Sequence, residues 1–190
     1  MRITAVVCLL VLFCGCATKV YIGPGTGISA ESQIVLSRAL SDAVNSLDFS
    51  KFAGKRLRVQ LFGMGGVLGA QPTQALAYSL LTEKILSAGG SISDEQNADL
   101  FCAVSVKVAG VDVTSRDFPP VFPFLYHHTA FRGCVSLRSV VYDVKEGKIA
   151  DTQDKTVEYY YRERYWFSLI GPYRWMEKIP TEDFVSEPER

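Results

Sequence analysis

Leu100-Phe101-Cys102-Ala103-Val104-Ser105-Val106-Lys107-Val108-Ala109-Gly110-Val111-Asp112-Val113 is the stretch whose reading decides the fold. Cys102, Val104, Val106 and Val108 recur at every second position. That is the period of a half-buried strand, not of a helix. Val135, Leu137 and Val141 repeat the pattern in a following strand. Lys145-Glu146-Gly147-Lys148 then reads as a tight hairpin turn with Gly147 in the left-handed position, and Ile149 to Tyr161 as the returning strand.

Upstream the period changes. Leu36, Leu40, Ala43 and Leu47 recur at helical spacing, and Ser29 and Glu31 suit a helix start, so a helix is expected over 29–47. Ile34, Val35 and Val44 widen its apolar stripe. Lys55 to Phe62 alternates as a strand, Leu57, Val59 and Leu61 against Arg56, Arg58 and Gln60. Pro72-Thr73 opens a second helix to about Ala88, with Leu76, Leu80, Leu81 and Ile85 inward and Gly89-Gly90 closing it. Ser91-Ile92-Ser93 reads as a short strand. Helix, strand, helix, strand and then a meander predict an α/β two-layer sandwich: a mixed sheet, helices on one face, and a C-terminal antiparallel meander. One domain is expected over residues 29–180, with a fraying tail at 181–190.

The N-terminus reads differently. Arg2 is the only charge before Lys19, and Ile3 to Phe13 is almost wholly apolar. That run is far shorter than the roughly 20 residues a spanning helix needs. Its order matches an export signal over 1–15. Phe13-Cys14-Gly15-Cys16-Ala17 resembles a bacterial lipobox, in which a small residue precedes the Cys that takes the lipid, although Phe13 stands where Leu is preferred. The resemblance implies acylation of Cys16 and attachment to a lipid bilayer through acyl chains. Ala17, rather than an aspartate, implies transfer to the outer membrane, facing the periplasm. Residues 16–28, with Ile22-Gly23-Pro24-Gly25-Thr26-Gly27, are expected to be a lipidated tether holding the domain off the bilayer.

Composition excludes several classes. The 190 residues carry 20 Lys+Arg against 20 Asp+Glu, so no bulk field attracts nucleic acid or an anionic membrane. With 48% hydrophobic and 21% charged residues the chain can build a core. Of five Cys, only Cys102 and Cys134 lie in the expected domain. An oxidising compartment favours a bridge between them. Yet if their strands pair antiparallel, the two strand starts lie at opposite ends, and a bridge needs Cα atoms within about 7 Å. A disulfide and two small buried thiols both stand open.

No catalytic pattern emerges. The cluster from Gly63 to Gly69 lies between a strand and a helix, but Leu68 occupies the position where a nucleotide fingerprint needs Gly, and no Lys-Ser/Thr pair follows. His127 and His128 are adjacent, so in extended chain they point to opposite faces and chelate poorly. Asp112, Asp117, Asp143 and Asp151 have no specific spacing. We expect no metal, no cofactor and no enzymatic activity.

Two segments are unusually aromatic. Arg116 to Tyr126 contains Phe118, Phe122, Phe124 and Tyr126 among Pro119, Pro120 and Pro123. Tyr159 to Trp175 contains Tyr165, Trp166, Tyr173 and Trp175. These eight residues are candidates for partner binding, because Tyr, Trp and Arg dominate interface hot spots. Their own domain or the interfacial layer of a bilayer would also cover them.

The capped helix, Gly54-Lys55-Arg56-Leu57-Arg58-Val59, the helix ending Ser87-Ala88-Gly89-Gly90, and Ala98-Asp99-Leu100 opening a long strand together resemble the periplasmic domain of curli-secretion-type lipoproteins. The penicillin-binding-protein activator lipoproteins are similar. The resemblance covers about residues 29–161. It implies a non-enzymatic outer-membrane lipoprotein that binds a protein partner in envelope assembly or secretion. A ring-forming secretion component, with oligomerisation, is the alternative, and an enzyme or ligand-binding protein acting on envelope glycan is a further one. The proline-rich loop does not supply the long amphipathic strands a pore needs.

Overall fold

Ser29 starts the first helix as expected. Its side-chain oxygen accepts a hydrogen bond from the Ser32 N–H at 3.2 Å, satisfying one of the four free amides of a helix start. The computed structural model describes residues 17–21, 29–63, 71–118, 125–167 and 170–180. Within them the elements are β1 (Ala17–Tyr21), α1 (Ala30–Asn45), a short 3₁₀ turn, β2 (Arg56–Gly63), α2 (Gln71–Ser87), β3 (Ser91–Ile92), β4 (Leu100–Phe118), β5 (Tyr126–Asp143), β6 (Ile149–Trp166) and β7 (Ile170–Ile179). The export segment, the chain from 22 to 28, most of the glycine cluster and the tail at 181–190 lie outside the described residues.

The strands form one mixed sheet ordered β3-β2-β4-β5-β6-β7. β2 pairs parallel with β3 and β4, and β4 through β7 run antiparallel. Both helices pack on one face, the expected two-layer α/β sandwich. From α1, Val35, Leu36, Ala39, Leu40, Ala43, Val44 and Leu47 are buried, and they meet Val135, Leu137, Val157 and Tyr159 of the sheet. α2 buries Ala77, Leu81 and Ile85 at intervals of four. Leu76 lies one position off that line and is exposed, which corrects its expected inward placement.

Two further details differ from the alternation. A bulge between Val106 and Val108 flips the face, so Val106 is buried while Val108 is 51% exposed, and Ala109 takes the next core position. The expected hairpin is present: Gly147 has φ 66, and the Asp143 carboxylate accepts from the Lys145 and Glu146 amides at 2.8 and 3.0 Å.

One strand lies within the stretch expected to be a tether. Ala17–Tyr21 is a strand, paired antiparallel with β4 from Ala17 opposite Arg116 to Tyr21 opposite Asp112. The cause lies in β4. β2 leaves its edge after Val106, and the backbone groups farther along would otherwise face water on a long free edge. Thr18 and Val20 supply β-branched residues that favour the extended chain.

α1 sits close to the sheet at Gly133, where an added Cβ would stand 2.5 Å from Val35 Cγ1. Asp42 locks the other end: its carboxylate accepts from the Tyr159 hydroxyl at 2.6 Å and from Lys178 Nζ at 3.2 Å. The Tyr159 hydrogen bond holds the Asp42 carboxyl below the usual range. Gly133→Ala is therefore expected to destabilise the fold by about 1–3 kcal/mol through overpacking. Gly110→Ala, with nothing within 4 Å, should stay within about 0.5 kcal/mol of the parent. Urea midpoints of both variants check this, and equal midpoints would contradict the close approach.

Candidate functional site

Period two sorts the outer half of the sheet into two faces. On the helix-bearing face lie Phe131, Tyr159, Tyr161 and Glu163. Tyr161 donates to Glu163 Oε1 at 2.8 Å, and Arg174 Nε donates to the same oxygen at 2.6 Å. Burial, then the Glu163 contact, pushes the Tyr161 hydroxyl up to about 12. Tyr165 shares this face beside His127, ring centroids 6.0 Å apart, and His127 Nε2 lies 2.9 Å from Thr129 Oγ1.

The opposite face is built from alternate residues of β4 to β7. The register sets Arg116 beside His128, His128 beside Arg164, Arg164 beside Tyr173, and Arg162 beside Trp175. The Arg164 guanidinium lies 4.5 Å from the Trp175 ring centroid and that of Arg162 lies 5.6 Å from it; Arg162 also lies 4.3 Å from the Tyr160 ring. These are cation–π distances. The Nε atoms of Arg162 and Arg164 are covered yet have no hydrogen-bond partner. Burial first, then Arg164, Arg162 and Arg116, lowers the His128 pKa, so this imidazole is neutral at neutral pH. Farther in, Arg132 donates to Glu158 Oε2 through Nε and Nη2 at 3.1 and 2.7 Å.

At the end of the sheet Tyr126 and Trp166 face each other across β5 and β6, ring centroids 4.8 Å apart at 59°. Trp166, Phe167, Ile170 and Tyr173 are 47, 55, 51 and 54% exposed. Phe167 has φ 53, an uncommon region for a bulky residue. Its N–H donates to the Leu125 carbonyl at 3.0 Å, which fixes the turn against the start of β5.

The structure thus joins Tyr126 with Trp166, places Tyr173 and Trp175 on the arginine face beside them, and puts Tyr165 on the other face. Phe118 is the last residue of β4, opposite Tyr126, with its side chain outside the described set. Phe122, Phe124 and Cys16 also lie outside the described residues. Arg116, Arg162, Arg164, Phe167 and Ile170 were not among the sequence candidates. The even spacing of Tyr160, Arg162 and Arg164 carried that signal, since period two puts them on one face.

The bridge left open between Cys102 and Cys134 does not form. Both thiols are free. Cys102 pairs with Val141, and Cys134 with Gly110, eight positions away along β4, or about 25 Å. Burial pushes both thiols up to about 11.

Two of the four carboxylates, Asp143 and Asp151, have structural partners, and the side chain of Asp117 lies outside the described set. Asp143 holds the hairpin turn, and Asp151 accepts from Gln153 and Lys51 at 2.7 and 3.1 Å. A shallow groove of about 530 Å³ lies between α1 and the β6–β7 edge, lined by Ile34, Ser37, Arg38, Ser41, Tyr159 and Met176. Among the described residues no three His, Cys, Asp or Glu side chains gather as a metal site, and no helix is long and apolar enough to cross a membrane.

No known family pattern and no curated protein sequence matches the chain. Among solved structures it is similar to protein XCC0632 from Xanthomonas campestris, of family DUF330, at 9% identity and TM-score 0.38, over 56% of this chain and 66% of that one. It is also similar to the LpoB C-terminal domain from Salmonella enterica (11%, TM-score 0.35, 64% and 97%) and to lipoprotein GNA1162 from Neisseria meningitidis (13%, TM-score 0.30, 53% and 77%).

The thiol geometry is directly testable. Unfolding without reductant followed by alkylation should label both Cys102 and Cys134. At neutral pH the folded chain should leave Cys102 unlabelled, because a buried, protonated thiol is a poor nucleophile. An unlabelled pair after unfolding would mean a bridge and contradict the β4–β5 register.

Proposed function

We propose that this chain is a non-enzymatic lipoprotein of the outer membrane, anchored through Cys16, facing the periplasm and binding a protein partner in envelope assembly or secretion. The anchor reading rests on Gly15-Cys16 after a short apolar run and on Ala17 in place of an aspartate. The partner reading rests on one observation above all: Trp175 held against Arg162 and Arg164 on a sheet face that bears no helix among the described residues. Tyr160 and Tyr173 extend it. Trp, Tyr and Arg are the residues from which interface hot spots are built. The stacked arginines are already ordered, so less side-chain entropy is lost when a partner docks. The sequence resemblance to penicillin-binding-protein activator lipoproteins points the same way.

Two operations are separated in this reading. The acyl chains confine the protein to one membrane and raise its local concentration there. The arginine–aromatic face supplies recognition. Cys16→Ala should release the folded protein from the membrane fraction. Trp175→Ala and Arg162→Ala should each lower partner recovery after crosslinking in intact cells by about thirtyfold, the effect of a hot spot of about 2 kcal/mol. Unchanged recovery from both variants, with unchanged melting temperatures, would overturn the partner reading.

A further inference from the structure

We propose that the outer end of the sheet is a lipid-contacting tip, in which Tyr126, Trp166, Phe167 and Ile170 enter the headgroup layer of the membrane that holds the acylated Cys16. This rests on the lipid-anchor reading above and adds what the domain does at that membrane.

The register of β1 carries it. Ala17 pairs with Arg116, two positions from the end of β4 at Phe118. β1 runs antiparallel to β4, so the chain before Ala17 leads toward that end. Ala17 itself therefore stands two residue steps, about 7 Å, from the sheet end, and the anchor residue of the proposed function immediately precedes it in the sequence. β4 through β7 all reach this end, since Phe118 pairs with Tyr126, Tyr126 with Trp166, and Trp166 with Ile170.

The chemistry of the two ends differs in the same sense. The β5–β6 turn at the far end is Lys145-Glu146-Gly147-Lys148, all exposed. The β6–β7 turn at the near end presents Trp166, Phe167 and Ile170, each about half exposed. Trp and Tyr favour the water–lipid boundary, where an apolar ring and a polar N–H or O–H are both accommodated. The Phe167 backbone at φ 53, tied to Leu125, keeps its exposed ring in place through a conformation a bulky residue seldom adopts. Arg116 and Arg164 stand one to two residues behind the rings, at the depth where lipid phosphates would meet them.

The test uses the full acylated protein in vesicles of phosphatidylethanolamine and phosphatidylglycerol. The chain has two tryptophans, so Trp175→Phe leaves Trp166 as the reporter and Trp166→Phe leaves Trp175. Lipids brominated near the headgroup should quench Trp166 emission at least twofold relative to unbrominated lipid, with a blue-shifted maximum. Trp175, farther along β7, should be quenched much less. An acyl-bearing, vesicle-bound protein whose Trp166 is unquenched would overturn the tip while leaving the anchor standing. A chain without acyl mass on Cys16 that fails to sediment with vesicles would overturn both. Unquenched Trp166 together with loss of a protein partner in Trp166→Ala would assign the tip to that partner and equally overturn the proposal.

Discussion

β4 is longer than the helices that cover it, and the rest of the molecule follows from that mismatch. Its 19 residues extend for about 60 Å, whereas the 16 residues of α1 extend for about 24 Å. The helix layer therefore seals only the inner half of the sheet, where Val104, Val106, Val135 and Leu137 are buried. The outer half has to solve two problems without a helix. Part of its edge, Asp112 to Arg116, is closed by β1, beyond the point at Val106 where β2 stops. Its surfaces are closed by side chains that cover one another: Arg162 and Arg164 over Trp175, Arg132 over Glu158, Tyr161 and Arg174 on Glu163.

This arrangement gives the outer half two surfaces of different character. The broad face is cationic and aromatic and lies along the strands. The tip is apolar and lies across their ends. Under the proposed function the first would meet a protein from the side while the second meets lipid end-on, and Arg164 stands where the two surfaces join. The backbone fixes both, because each residue involved except Phe167 sits on a strand with a paired register.

The inner half was legible in the sequence. The Ser29 cap, the spacing of Leu36, Leu40, Ala43 and Leu47, the alternation from Leu100, and the Lys145–Lys148 turn all lie where expected. Each is a local signal backed by burial against a helix, so pattern and packing agree. The outer half was less legible because its alternation is not apolar against polar. From Tyr159 to Trp166 tyrosine and glutamate alternate with tyrosine, arginine and tryptophan, a pattern that does not separate an apolar from a polar face. β7 carries Pro172 and lies at the sheet edge, the one place a strand tolerates it. β1 was hidden for another reason: Ala17–Tyr21, next to the proposed lipid site, form a strand only because β4 offers an unpaired edge some 95 residues later, and no local pattern encodes that.

The pairing of β1 is the point on which the account turns, since it ties Ala17–Tyr21 to the edge of β4. Amide hydrogen exchange of the acylated protein in vesicles measures it directly. The account predicts that amides of Ala17–Tyr21 exchange slowly, together with the Asp112–Arg116 segment they pair with. Exchange of residues 17–21 at the rate of an unstructured peptide, with β4 otherwise protected, would contradict it.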